Sequence, residues 1–135
     1  MDDWQDATTL FGYLSYADVP AAILWLEALG FQVVSPQPGD DGTVQHAELR
    51  LGRAVVMVAS SDEAYDTPAL HGQSVGHGLY LQTPRVDELF ERAVAAGGRS
   101  VFPPEDTEWG SRRARVLDPG GNEWSFGSYE PGHTW

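Results

Sequence analysis

The chain contains no cysteine among its 135 residues. Disulfides and thiolate metal sites are therefore excluded, and a reducing, cytoplasmic location is the expectation. Lysine is missing too: all eight basic residues are arginine, against 20 acidic ones, for a net charge of −12. Such a chain repels nucleic acid, whose binding needs a basic surface. It would attract a cationic ligand, although acidity that only keeps the protein soluble is the plainer reading. No apolar run approaches the ~18–20 residues of a membrane span. The opening stretch, "MDDWQDATT", is acidic and polar, unlike a secretory signal. Neither nucleic acid nor membrane is thus expected as a partner. The length suits one domain over residues 1–135.

What is present is a regular order of elements. "TLFGYLSYA" is apolar and aromatic and reads as a strand. Asp18 can cap "VPAAILWLEALG", where Val19, Ala22, Ile23, Leu26 and Leu29 recur at helical spacing. Pro20 suits the first turn of that helix and Gly30 its stop. "FQVVSP" is a second strand, "PQPGDDG" a turn-rich loop, "TVQHAELRLG" an alternating strand and "RAVVMVAS" a short apolar one. In "TVQHAELRLG", Ala47, Leu49 and Leu51 share one face, and His46, Glu48 and Arg50 the other.

Residues 61–76 are polar and broken by Pro and Gly, so they read as a linker. The same order then returns. "HGLYLQTP" is a strand, and "RVDELFERAVAAGG" is a helix with Val86, Leu89, Phe90, Ala93 and Val94 on one face. "SVFPPEDTEWG" is a strand and loop, and "SRRARVLDPGGNEWSFGSY" a hairpin. Val19 to Gly30 is eleven steps, and Val86 to Gly97 is also eleven. The repeat predicts an α+β fold of two paired βαβββ modules, with curved, mostly antiparallel sheets enclosing a cavity. Module one spans about 9–60 and module two about 77–131. In the hairpin, "DPGGN" is the turn. Alternation sends Trp124 and Phe126 to one face and Glu123, Ser125 and Gly127 to the other. The aromatic pair belongs under the helices, which leaves Ser125 on the concave side.

The repeated units, the "DVPAAILWLEALGF" helix and "VLDPGGNEWSFGSYEP" resemble the vicinal oxygen chelate superfamily: glyoxalases, extradiol dioxygenases, fosfomycin-resistance enzymes and bleomycin-resistance proteins. The resemblance runs from about residue 10 to 131. The D-P-x-G-N hairpin after a helix ending in A-x-G-G is characteristic of the fold and of no single activity. Enzymes of the superfamily hold a divalent metal with His, Gln or Glu, one from each of four central strands. Carried onto this chain, those positions hold Phe11, Met57, His77 and Ser125. Phe11 lies seven residues before Asp18, and Ser125 seven after Asp118, where a metal-binding member would carry Glu. Phenyl and thioether groups do not bind Mg²⁺, Mn²⁺, Ni²⁺ or Zn²⁺ in such a site, so no cofactor is expected.

Each candidate has a plain reading beside the functional one. His77 is a remnant ligand, a donor in the cavity or a surface histidine. His46 and Glu48 are a metal pair, a ligand-binding pair, or a solvated or dimer-interface pair. Trp109, in "EDTEWGSRR", stacks on a ligand or packs its own loop. Phe11, Tyr13 and Phe102 line the cavity if the strand phase is right; a slip of one buries them. Trp25 sits beside the main helical stripe, suited to helix packing or a dimer contact. Glu105, Asp106 and Glu108 are a solvated loop or a lure for a cation. "DPGG" lacks the Lys-Ser/Thr of a phosphate loop, and no Ser–His–Asp arrangement has context.

Two functions remain. The first, implied by resemblance to the bleomycin-resistance proteins, is a metal-free, homodimeric, cytoplasmic binding protein and not an enzyme. It would sequester a bulky, partly aromatic small molecule, with cationic or aromatic natural products as candidates, and would serve antibiotic resistance. The second is a metal-dependent glyoxalase- or dioxygenase-type lyase or oxidoreductase. It would need His46, Glu48 and His77 as ligands.

Overall fold

The computed structural model describes residues 4–38, 44–60 and 77–132; the segment read as a linker, along with His71 and His133, lies outside them. Two four-stranded sheets carry the fold. After a four-residue helix α1 (Trp4–Ala7), the first unit runs β1 (Gly12–Tyr16), α2 (Val19–Leu29), β2 (Gln32–Pro38), β3 (Val44–Leu51) and β4 (Ala54–Ser60). The second runs β5 (Gly78–Gln82), α3 (Val86–Ala95), β6 (Arg99–Asp106), β7 (Arg112–Leu117) and β8 (Glu123–Gly127). The strand orders are β1-β4-β3-β2 and β5-β8-β7-β6. β1 pairs with β4 and β5 with β8 in parallel, and the remaining pairs are antiparallel. The strand–helix–strand–strand–strand repeat is thus present, as two open, mixed sheets.

Local chemistry accounts for α2. Asp18 accepts a hydrogen bond from the Ala21 N–H at 3.0 Å, Pro20 occupies the first turn, and Gly30 closes the helix at φ 116°. A left-handed residue there suits only glycine comfortably. The apolar stripe is Val19, Ala22, Leu26 and Leu29, and it includes Trp25, only 2% exposed. Trp25 settles as a packing residue: its indole N–H donates to the Ala93 carbonyl of α3 at 3.0 Å. Its ring lies 5.7 Å from that of Trp124, and Phe31 meets Trp124 edge-on at 6.1 Å. The α3 stripe is narrower than its periodicity suggested: Val86, Leu89 and Ala93 are buried, Phe90 is half-buried and Val94 is exposed.

Two strands run further than the sequence implied. β2 continues through Pro36 to Pro38, where a loop was expected, and β6 passes through Pro103 and Pro104. Both are edge strands with register shifts, so each proline can sit where a missing N–H breaks no central ladder. The helix α1 was also not anticipated; a single turn has little periodicity to read.

The two units meet at Asp118, which is 4% exposed. One carboxylate oxygen accepts from the backbone N–H groups of Gly120 and Asn122 at 3.0 and 2.9 Å, fixing the turn. The other accepts from the Tyr16 hydroxyl of β1 at 2.6 Å and the Trp124 indole of β8 at 3.0 Å. Loss of the carboxylate would orphan the two buried donors, Tyr16 and Trp124, and leave the turn amides to water. Asp118→Ala is expected to cost at least about 3 kcal/mol, measured by urea denaturation; a loss within experimental error would show the link to be dispensable.

Burial, and then the Asp118 carboxylate, push the Tyr16 phenol above its ordinary pKa of 10.0. An unfolded phenol releases its proton near pH 10.0 while the folded one keeps it. This contribution is therefore whole below that pH and declines as pH rises past it. Tyr16→Phe is expected to flatten the fall in melting temperature between pH 9 and 11, on the order of one proton's worth of linkage. An identical alkaline slope in the variant would contradict that assignment.

Candidate functional site

The β7–β8 hairpin has two faces because side chains alternate along a strand. Ala114, Val116, Trp124 and Phe126 are buried against the helices. The opposite face carries Arg113 and Arg115 from β7, and Ser125 and Gly127 from β8. Register lines them up: Arg115 stands opposite Ser125, and Arg113 opposite Gly127. The row continues in both directions, to Phe102 of β6 opposite Arg115 and to Tyr80 of β5 opposite Ser125. Tyr80, Ser125, Arg115 and Phe102 thus form one line across all four strands.

Trp109 closes one side from the β6–β7 turn. That turn is tied by Thr107: its N–H donates to the Ser111 carbonyl at 2.8 Å, and its Oγ1 accepts from the Ser111 N–H at 3.0 Å. The indole is 64% exposed, yet held on a fixed support. Together these groups enclose a cleft of about 730 Å³, with Ser111, Arg112 and Tyr129 completing its walls. A volume of this order suits a drug-sized molecule.

The arginines are organised by aromatic rings and carboxylates. The Arg113 guanidinium carbon lies 5.2 Å from the Phe102 centroid and 5.6 Å from that of Trp109; that of Arg115 lies 5.3 Å from Phe102. These are cation–π distances. Arg113 donates through Nε to Glu105 at 2.9 Å, and Arg115 through Nε to the Ser125 hydroxyl at 2.9 Å. Arg112 grips both oxygens of Asp87, at 2.7 and 3.2 Å, and also Asp106 at 2.9 Å, which ties α3 to the sheet. These partners raise the pKa of its guanidinium, and Arg112 in turn lowers that of Asp87, chiefly through their hydrogen bond. On the opposite wall the Tyr80 hydroxyl donates to the Tyr129 carbonyl at 2.6 Å. Burial is the main cause of its raised pKa, which keeps it a neutral donor.

Of the residues singled out from sequence, Phe102, Trp109 and Ser125 line this cleft. Phe11, Tyr13 and His77 are elsewhere: with Glu123 they border a separate hollow of about 220 Å³ between β1 and the start of β5. Phe11 and Tyr13 are about half exposed, neither buried in the core nor in the large cleft. His46, Glu48 and Met57 lie on the outward face of the first sheet. Met57 stands opposite both Tyr13 and Glu48, while His46 stands opposite Ala59. The acidic loop is not the free lure it resembled, since Glu105 and Asp106 are engaged by Arg113 and Arg112. Tyr80, Arg113 and Arg115 were missed. Their signal was the alternation of "RRARVL" against "EWSFG": once Trp124 and Phe126 are inward, the arginines share the face of Ser125.

A divalent metal fits poorly. The four positions that the sequence resemblance assigned to metal ligands carry phenyl, thioether, imidazole and hydroxyl, and Ser125 is bonded to a guanidinium that would repel a cation. Among the described residues no group of three or more His, Asp or Glu side chains is placed to hold a metal ion.

Residues 9–126 match the model of the Glyoxalase/Bleomycin resistance protein/Dioxygenase superfamily, and the chain belongs to that superfamily. It is similar to Rv0887c of Mycobacterium tuberculosis (strain ATCC 25618 / H37Rv), 32% identical over 122 residues, 85% of this chain and 71% of that protein. Among solved structures, TioX from Micromonospora sp. ML1 is 34% identical with a TM-score of 0.71, over 94% of this chain and 100% of that one. A lactoylglutathione lyase from Agrobacterium tumefaciens is 22% identical with a TM-score of 0.60, over 90% of this chain and 92% of that one, a likeness of fold.

Gly127 makes the Tyr80 wall possible: a Cβ there would overlap the Tyr80 ring and hydroxyl. Gly127→Ala is expected to cost ~1–3 kcal/mol by overpacking and to displace Tyr80 from the cleft. Urea denaturation reads the first effect, and a shifted Trp109 indole N–H resonance reads the second. Wild-type stability with an unmoved resonance would argue against this packing.

Proposed function

We propose that this protein binds a small, partly aromatic molecule in the cleft of the second sheet, without a metal and without catalysis, in the manner of the bleomycin-resistance proteins. The observation that carries this reading is the row Tyr80–Ser125–Arg115–Phe102 capped by Trp109. It offers ring faces and hydrogen-bond donors around a preformed volume. It offers no nucleophile–base pair and, where an enzyme of the superfamily would carry a metal-binding Glu, a serine bonded to arginine. The metal-dependent alternative would need His46, Glu48 and His77 to converge, and His77 lies beside a hollow whose lining includes neither of the others.

The working form is a homodimer. Leu10, Phe11 and Tyr13 stay exposed beside β1, an apolar strip that a second copy would cover. The proposed setting is the cytoplasm, compatible with a cysteine-free chain; no described helix is long and apolar enough to cross a membrane. If the ligand is a toxic natural product, its sequestration would confer resistance.

Elemental analysis of tag-free protein should find no stoichiometric metal, and melting curves should not move with chelator, Mg²⁺, Mn²⁺, Ni²⁺ or Zn²⁺. A shift of several degrees with a single ion would instead favour the enzyme. A neutral planar probe, 2-naphthamide, should perturb the Trp109 indole resonance. Trp109→Ala should weaken its binding about tenfold, as loss of an aromatic wall implies. Unchanged affinity in that variant would remove Trp109 from the site.

A further inference from the structure

We infer that the ligand of this cleft is an anion: a planar aromatic body bearing an acidic group, held by Arg115 and Arg113. The inference rests on the cleft being the binding site, and it runs against the chain's net charge of −12.

The cleft is lined by arginine in an acidic protein. Three of the nine residues that line it are arginines, and none is Asp or Glu. Arg112 is the least available, with Nε and both Nη atoms committed to Asp87 and Asp106. Arg113 and Arg115 differ. Among the described residues their hydrogen bonds run through Nε alone, to Glu105 and to Ser125. That leaves each guanidinium with its terminal Nη donors for a ligand. Fixing Nε also fixes the plane, and a fixed planar fork recognises a carboxylate through two parallel bonds.

The nearest acidic groups do not fill this role. Glu105 stands on the rim beside Arg113. Glu123 pairs with Arg115 at 3.6 Å, again at Nε, and is absent from the residues that line the cleft. The Phe102 ring lies against both guanidinium groups and Trp109 against one. The rings help to hold the guanidinium planes in place, and the exposed Trp109 ring offers a surface to an aromatic body. Repulsion from the distant carboxylates is screened within about 8 Å at physiological salt. Glu105 and Glu123 offset part of the arginine charge at Nε, so at contact the free Nη donors of the two arginines decide.

The test compares three probes with one ring system: 2-naphthoate, 2-naphthamide and 2-naphthylmethylammonium, titrated against the full chain at pH 7 by following the Trp indole N–H resonances. Naphthoate should bind at least about tenfold more tightly than naphthamide, as a charge-assisted pair implies, and the ammonium most weakly. In Arg113→Gln/Arg115→Gln the naphthoate-to-naphthamide ratio should fall to within about twofold. Arg50→Gln, on the outward face of the first sheet, removes one charge too and should leave the ratio at its wild-type value. If naphthamide binds and naphthoate is no tighter, or the ammonium is tightest, the anionic ligand is wrong and the cleft reading stands. If Arg50→Gln lowers the ratio as much as the double variant, bulk charge is responsible and the inference fails. If none of the three binds, the cleft reading falls and this inference with it. Should the double variant not fold, the wild-type ratios alone decide.

Discussion

A single carboxylate organises this molecule. Asp118 is buried and accepts four hydrogen bonds, two from its own turn, one from Tyr16 of the first unit and one from Trp124 of the second. A buried charge is tolerable only when its lone pairs are satisfied, and here each oxygen has two donors. Their arrangement has a geometric consequence. It fixes the hairpin turn, and the turn sets the register of β7 against β8. It also pins the Trp124 indole inward, where the ring meets Trp25 and Phe31.

The cleft depends on that register. Successive side chains on a strand point to opposite faces, so an inward Trp124 and Phe126 leave Ser125 no choice but the outer face. Pairing then brings Arg115 beside it and Phe102 beyond. A slip of one residue would bury the arginines and expose the two aromatics. Core and site are thus two sides of the same hairpin, and the energy that buries one set of side chains positions the other.

Electrostatics divides along the same line. The chain as a whole is acidic, but its carboxylates near the second sheet are occupied in holding arginines: Glu88 bridges Arg85 and Arg92, Asp87 and Asp106 hold Arg112, and Glu105 holds Arg113. These exposed pairs add little stability singly. Their effect is to orient the guanidinium groups, which leaves a concavity lined by arginines and aromatic rings that the net charge conceals. Bulk charge describes how a molecule is approached from afar, and the cleft describes what it meets on arrival.

Much of the fold was legible in the sequence because local rules dictate it. The cap at Asp18, the stop at Gly30 and the 3.6-residue stripe between them specify α2 without tertiary help. The D-P-G-G-N turn and the alternation after it place Trp124, Ser125 and Phe126 on their correct faces. The repeat of the whole pattern names the architecture. Contacts between distant strands were not legible. Nothing local says that Pro103 and Pro104 lie in an edge strand, that Trp25 donates to a carbonyl 68 residues away, or that Phe11 and Tyr13 border a different hollow from Phe102. The sequence by itself determined the order of the main elements and the facing of the hairpin side chains, because these follow from backbone periodicity and turn chemistry. Only the tertiary structure decided which of those faces share a cleft and that arginines line it, because both depend on strand order and cross-strand register, which no single segment encodes.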